Sequence, residues 1–174
     1  MPIPPFDTLG NLSVGDYIRG SSQCVVETTL GEMKARFVTG LPMDLKRPLI
    51  WKGWMDYRRE LAKIRLPFSM WVDGSFTTAK VGPSDIDFAV LVDGTKADKL
   101  KGKARDNFDQ LFDEGYTKPK FLSHAQLVPV YPYGHKQFDD FTAFGLSYWT
   151  RVFGGDKQTN SPKAILLVKG SEVI

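Results

Sequence analysis

At 174 residues, 42% of them hydrophobic, the chain can build one domain with a real core and is hardly long enough for two. A single cysteine, Cys24, excludes an internal disulfide framework, and a net charge of +3 permits a nucleotide or RNA partner without demanding one. No apolar run approaches the roughly 20 residues that cross a bilayer, and Met1-Pro-Ile-Pro-Pro-Phe6 lacks the basic and apolar regions of a secretory signal. The expectation is a cytoplasmic protein with no membrane partner.

Residues 1–26, rich in Pro, Gly and Ser, read as an extended arm over the body of a single domain spanning 1–174, anchored by Phe6, Leu9 and Leu12. Thr29-Leu-Gly-Glu32 has the capping-box spacing and starts a short helix to about Val38, stopped by Gly40 and Pro42. From Arg47 to Arg65, the residues Ile50, Trp54, Tyr57, Leu61 and Ile64 recur at steps of four and three, one apolar stripe on a long helix. Lys52, Arg58, Arg59 and Lys63 are left for its other faces, and Pro67 closes it. Phe68–Asp73 then predicts a strand and 85–92 a second, with turn chemistry at Gly82-Pro83-Ser84 between them. Leu100, Ala104, Phe108 and Leu111 predict a helix over about 96–113, and 120–131 a third strand interrupted near Pro129. Phe138, Phe141, Tyr148, Trp149 and Val152 mark a helix over about 137–153, ended by Gly154-Gly155, with its aromatics read as core. Residues 164–169 are a short closing strand or extended tail. The fold class is α/β (α+β), a small mixed sheet flanked by helices.

The chemistry concentrates in two neighbouring motifs. Trp71-Val72-Asp73-Gly74-Ser75 places a Gly-Ser turn after one strand, and Asp85-Ile86-Asp87 places two carboxylates at the head of the next. Residues i and i+2 of a strand share a face, so Asp85 and Asp87 can point the same way. Two acids suit a divalent cation that also carries phosphates, because Mg²⁺ takes one or two carboxylates plus the oxygens of its substrate. Gly74 allows close backbone approach, and Ser75 offers a hydroxyl to a β- or γ-phosphate at a strand-to-helix turn. Lys80, in the intervening loop, adds a point charge for phosphate or is a solvated surface lysine.

Gly74-Ser75 followed by Pro83-Ser84-Asp85-Ile86-Asp87-Phe88-Ala89-Val90 resembles the signature of the DNA-polymerase-beta-like nucleotidyltransferase superfamily, with a spacing one residue shorter than in many of its minimal members. Pro4-Pro5-Phe6-Asp7 with Gly10, the string Trp71 to Phe76 with Lys80, and Tyr148-Trp149 with Phe153-Gly154 extend the likeness to a group of small bacterial and phage proteins. The resemblance implies the nucleotidyltransferase fold, Mg²⁺ or Mn²⁺ held by Asp85 and Asp87, and a nucleoside triphosphate substrate cradled by Gly74, Ser75 and Lys80. It also implies transfer of a nucleoside monophosphate to a hydroxyl of RNA, with tRNA and a toxin-type role foremost, or of protein, and a protein partner encoded nearby.

One departure stands out. Active members usually carry a third carboxylate on a later strand, and the matching stretch, Phe121 to Val128, contains no acid. His124 stands where that acid is expected, able to accept a proton near neutral pH but better suited to Mn²⁺ or Zn²⁺ than to Mg²⁺. Asp73, beside the turn, is the other candidate, although alternation does not say which way it points. Three explanations stay open: an enzyme with an altered site, a different pairing of that strand, or a module that binds nucleotide or RNA without turnover, as an antitoxin or phage counter-defence factor would. Arg151, Lys157 and Lys163 are candidates for the cleft edge or plain surface charge, His135 reads as a surface residue, and Cys24 has no companions that would make it a nucleophile.

Overall fold

A computed structural model of the chain describes residues 3–14, 24–159 and 161–171. Five strands form one mixed sheet: β1 (Val25–Glu27), β2 (Phe68–Asp73), β3 (Ile86–Asp93), β4 (Ser123–Val130) and β5 (Ile165–Lys169), in the order β1-β5-β2-β3-β4. The β1–β5 and β3–β4 pairs are parallel, and β5–β2 and β2–β3 are antiparallel. The α/β (α+β) class expected from the sequence is the one observed. Among the described residues no helix is long and apolar enough to cross a membrane.

Helix α1 (Leu30–Lys34) starts at Thr29 with a complete capping box: Thr29 Oγ1 accepts from the Glu32 N–H, and the Glu32 carboxylate accepts from the Thr29 N–H. It widens into a π-turn over Ala35–Thr39 before Gly40. Helix α2 (Lys46–Lys63) covers one face of the sheet through the predicted stripe: Trp54 and Tyr57 pack against Phe88, and Tyr57 meets Phe121 edge-on. Arg58, expected on a solvent face, is buried instead, its guanidinium over the rings of Trp54 and Phe68 and its Nη2 donating to the Lys169 carbonyl at 3.2 Å. A cation at that position is tolerated because rings and a carbonyl replace its water.

Two expected elements change shape. The predicted helix over 96–113 breaks into α3 (Gly94–Ala97) and α4 (Lys103–Gln110), with Gly102 at φ +52° between them. Residues 120–121, read as the start of a strand, close a further helix, α5 (Glu114–Phe121). Asp113 caps α5 by accepting from the Gly115 N–H at 2.8 Å, with Glu114 in its first turn and Lys118 and Lys120 in its last, charges that suit the helix dipole. The strand β4 then runs through Pro129 without interruption. Proline is compatible with β4 because β4 is an edge strand of the sheet.

The arm residues 3–14 carry a bridge between Phe6 and Leu12, and Leu12 is buried as expected, whereas Leu9 is 56% exposed and anchors nothing. Residues 25–26, assigned to the arm, belong to β1, and the expected arm between 15 and 23 lies outside the described residues. Residues 165–169 are no tail: β5 lies between β1 and β2.

The segment after β2 is held by an arginine. Arg47, fully buried in the first turn of α2, donates through Nη1 to the carbonyls of Phe76 (2.7 Å) and Phe37 (3.2 Å), and through Nη2 to those of Thr78 (2.8 Å) and Lys80 (2.7 Å). Its Nε faces Asp44 at 3.3 Å, and Asp44 in turn accepts from the Gly82 N–H at 2.7 Å. Burial works to raise the Asp44 carboxyl, but the N–H groups of Gly82 and Lys46 and the Arg47 charge hold it below the usual carboxylate range. An ammonium cannot reproduce this planar fork. Arg47→Lys is therefore expected to destabilise the fold by about 3 kcal/mol or more, read as a lowered urea midpoint with an unchanged slope.

Candidate functional site

Strand register builds the site. Asp73 is the antiparallel partner of Asp87, and Asp87 is the parallel partner of His124. Partners across a ladder place their side chains on one face, so Asp73, Asp87 and His124 form a row across β2, β3 and β4. The alternate residues of β3, including Phe88, face α2. The row therefore lies on the sheet face opposite that helix. Asp85, just before β3, joins Asp73, Asp87 and His124 in lining a single cavity of about 1060 Å³.

The Gly-Ser bend closes over the row. Gly74 has φ +81°, and a Cβ there would collide with the Asp87 carboxylate. Ser75 opens a short helical turn of three residues, Ser75–Thr77. Hydroxyls shut that turn: Thr77 Oγ1 donates to the Gly74 carbonyl at 3.2 Å and Thr78 Oγ1 to the Ser75 carbonyl at 2.8 Å. Ser75 and the exposed Lys80 both line the cavity, as do Lys157 and Lys163, whereas Arg151 does not. The arm contributes Gly10 and Asn11, and the Gly10 carbonyl accepts from the Ala79 N–H at 2.8 Å, tying arm to loop.

Each acid has a distinct partner. Lys163, buried, pairs with Asp73 Oδ2 at 2.9 Å, while Asp73 Oδ1 is buried with no hydrogen-bond partner among the described residues. Burial raises the Asp73 carboxyl to about 6, against the pull of the Lys163 charge. Lys118 lies 3.3 Å from Asp85 Oδ2 and 3.3 Å from Glu114 Oε1, and these two acids, Glu114 first, raise the Lys118 ammonium above its ordinary range. Ser84 Oγ donates to Asp85 Oδ1 at 3.0 Å. His124 Nδ1 is 3.1 Å from Asp87 Oδ1, and its Nε2 is 2.9 Å from the Gln126 amide nitrogen. Glu114 Oε2 lies 3.7 Å from the same Nε2, so both ring nitrogens of His124 face polar partners.

The sequence motifs are thus brought together, and three groups join them that sequence reasoning missed as site residues. Lys118 was hidden because α5 was not foreseen; the Asp113 cap was its signal. Tyr148, read as core, is exposed and lines the cavity from helix α6 (Phe144–Phe153), and the half-buried Trp149 packs against the core and lines the cavity too, while Phe153 is buried as expected. His135 is half-buried and stacks on Tyr131 with ring centroids 4.7 Å apart, away from the cavity lining.

No group of three or more His, Cys, Asp or Glu among the described residues is arranged to hold a metal ion. A Mg²⁺ site built jointly with phosphates asks the protein for only one or two carboxylates. Asp85 and Asp87 fit that share, and the unpartnered buried oxygen of Asp73 on the same face marks a position short of a positive or protonated partner.

Two variants probe these contacts. Lys163→Met strands a buried carboxylate and is expected to cost about 3–5 kcal/mol at pH 8. Because the Asp73 carboxyl sits at about 6, it takes up a proton below that pH, so the loss shrinks on acidification to pH 5. Urea unfolding at both pH values checks it. Gly74→Ala, strained at its positive φ and forcing the Asp87 carboxylate aside, is expected to lower stability by about 1–3 kcal/mol, measured by thermal unfolding.

No curated protein and no solved structure matches the chain. Residues 4–169 match the model of DUF6932, described as a family of unknown function, and the chain belongs to that family.

Proposed function

We propose that the protein is a metal-dependent nucleotidyltransferase, moving a nucleoside monophosphate from a nucleoside triphosphate to an acceptor hydroxyl. The observation that carries this reading is the Asp85–Asp87 pair under the Gly74-Ser75 bend in one cavity edged by Lys80, Lys157 and Lys163. Acids beside a tight glycine turn and cavity-lining lysines match a triphosphate chelated by a divalent ion.

Asp85 and Asp87 would hold Mg²⁺ or Mn²⁺. When bound, the ion neutralises charge on the triphosphate and polarises the α-phosphorus. Gly74 and Ser75 meet the distal phosphates, and Lys80 and Lys157 approach them from the rim. The acceptor oxygen attacks the α-phosphorus in line, its O–P bond forms, and the bond to the bridging oxygen breaks to release pyrophosphate. Asp73, which lines the cavity with Lys163 paired to its Oδ2, accepts the hydroxyl proton, and Lys163 compensates the charge of the base form. His124, both of whose nitrogens are engaged, fixes the orientation of Asp87. An RNA hydroxyl, tRNA foremost, is the leading acceptor, and a protein hydroxyl the second.

A binding module without turnover has one observation in its favour. The Lys118 ammonium already occupies an oxygen of Asp85, an arrangement that competes with any cation placed there. Incubation with each α-labelled nucleoside triphosphate, Mg²⁺ or Mn²⁺, total tRNA and cell protein separates the two. Label is expected on RNA or protein, falling at least about 100-fold in Asp85→Ala and in Asp87→Ala. Nucleotide binding with no transferred label, or transfer that survives both substitutions, overturns the transferase.

A further inference from the structure

The cavity has two chemically different walls. One is the charged row on the sheet; the other is α6, from which Tyr148, Trp149, Val152 and Phe153 line the same space. Helix α6 reaches that face through Gly145, where a Cβ would lie 3.2 Å from Val128 Cγ1, and Val128 shares the face of His124 on β4.

Its aromatic side chains are not used up by the core. Tyr148 is 47% exposed, stacked on Phe144 with centroids 5.8 Å apart and planes 21° apart, and it meets Trp149 at 90° with centroids 5.0 Å apart. Trp149 is backed by Phe153 at 4.9 Å. Tyr148 and Trp149 thus each touch other aromatic rings, Phe144 and Phe153 among them, which restricts their rotation before any ligand arrives. An exposed, pre-positioned tyrosine beside a tryptophan costs apolar exposure to maintain, and no described element covers it.

We propose that Tyr148 and Trp149, whose planes are perpendicular, form an aromatic corner that serves as a platform for the nucleobase of the nucleotide whose phosphates the opposite wall handles, one ring stacking on the base and the other meeting its edge. This rests on the reading of the site as a nucleoside triphosphate site and adds where the base sits. The volume of about 1060 Å³ leaves room for a nucleotide besides its phosphates. Charge divides the ligand in the same sense as the walls. Lysines and metal-binding acids take the anionic tail, and neutral π-faces take the uncharged base. A peptide hydroxyl acceptor does not need such a platform at the donor site, whereas every nucleotide donor presents a flat ring to it.

Calorimetric titration of the full chain in Mg²⁺ tests this with two probes, α,β-methylene ATP, which cannot be turned over, and inorganic tripolyphosphate, which has no base. The wild type is expected to bind the nucleotide analogue at least about tenfold more tightly than tripolyphosphate. Tyr148→Ala and Trp149→Ala are expected to remove most of that difference while leaving tripolyphosphate affinity within twofold. Tyr148→Phe and Trp149→Phe, which keep a ring, retain it and report on folding. Asp85→Asn weakens both probes together. Equal affinity of the wild type for the two probes, no detectable binding of the nucleotide, no loss in the alanine variants, or a parallel loss of tripolyphosphate in them overturns the platform. Label transfer that fails while the base-dependent affinity persists overturns the transferase alone, and transfer that persists without base-dependent affinity overturns the platform alone.

Discussion

A single buried guanidinium holds the site loop in place. Arg47 gathers carbonyls from the π-turn after α1 and from three residues of the segment that follows the Gly-Ser bend, while Asp44 secures Gly82 beyond it. A segment of this kind has few backbone partners of its own, and unpaired carbonyls inside a protein are costly. Arg47 converts them into acceptors of a charge-assisted fork, fixed to the rigid start of α2. The bend over Asp87 inherits that rigidity. So does the contact through which the Ala79 N–H reaches the Gly10 carbonyl of the arm.

The second constraint is ladder register. One pairing shift in β2 or β4 would turn Asp73 or His124 away from the cavity to the α2 face, against the rings of Trp54 and Tyr57. The apolar alternates, Val72 against Phe88 and Met70 against Val90, therefore specify the polar row as firmly as the core they build. Chemistry and folding are coupled here through the pleat. A hydrophobic pattern on one side of the strand dictates which acids can meet on the other.

Much of this was legible from residues alone, and the exceptions have physical reasons. The α2 stripe, the Thr29 capping box, the β2 span and the meeting of the Gly-Ser bend with Asp85 and Asp87 follow from local periodicity and short spacing. The orientation of Asp73 did not, because alternation gives a face only once a partner strand is known. Helix α5 was obscured by Pro119, which reads as a breaker but falls inside the helix. Arg58 read as an outer-face charge, and Arg47 only as the start of a helix, because nothing in a helical repeat announces carbonyls contributed from distant segments. Tyr148 and Trp149 fitted an aromatic helix core equally well, since only tertiary placement distinguishes an inward ring from one lining a cleft.

The place of β5 has a consequence for how the molecule is made. It lies between β1 and β2, yet it follows every other strand in the chain. During synthesis β1 has no described neighbour until residues 165–169 have left the ribosome, and one edge of β2 stays bare for the same interval. The long separation between β1 and β5 makes their pairing slow by loop-closure entropy. Lys163 emerges just ahead of that strand, so the acidic pocket acquires its internal counter-charge only together with β5. A nascent chain is thereby kept from displaying a finished site before the sheet that supports it has closed.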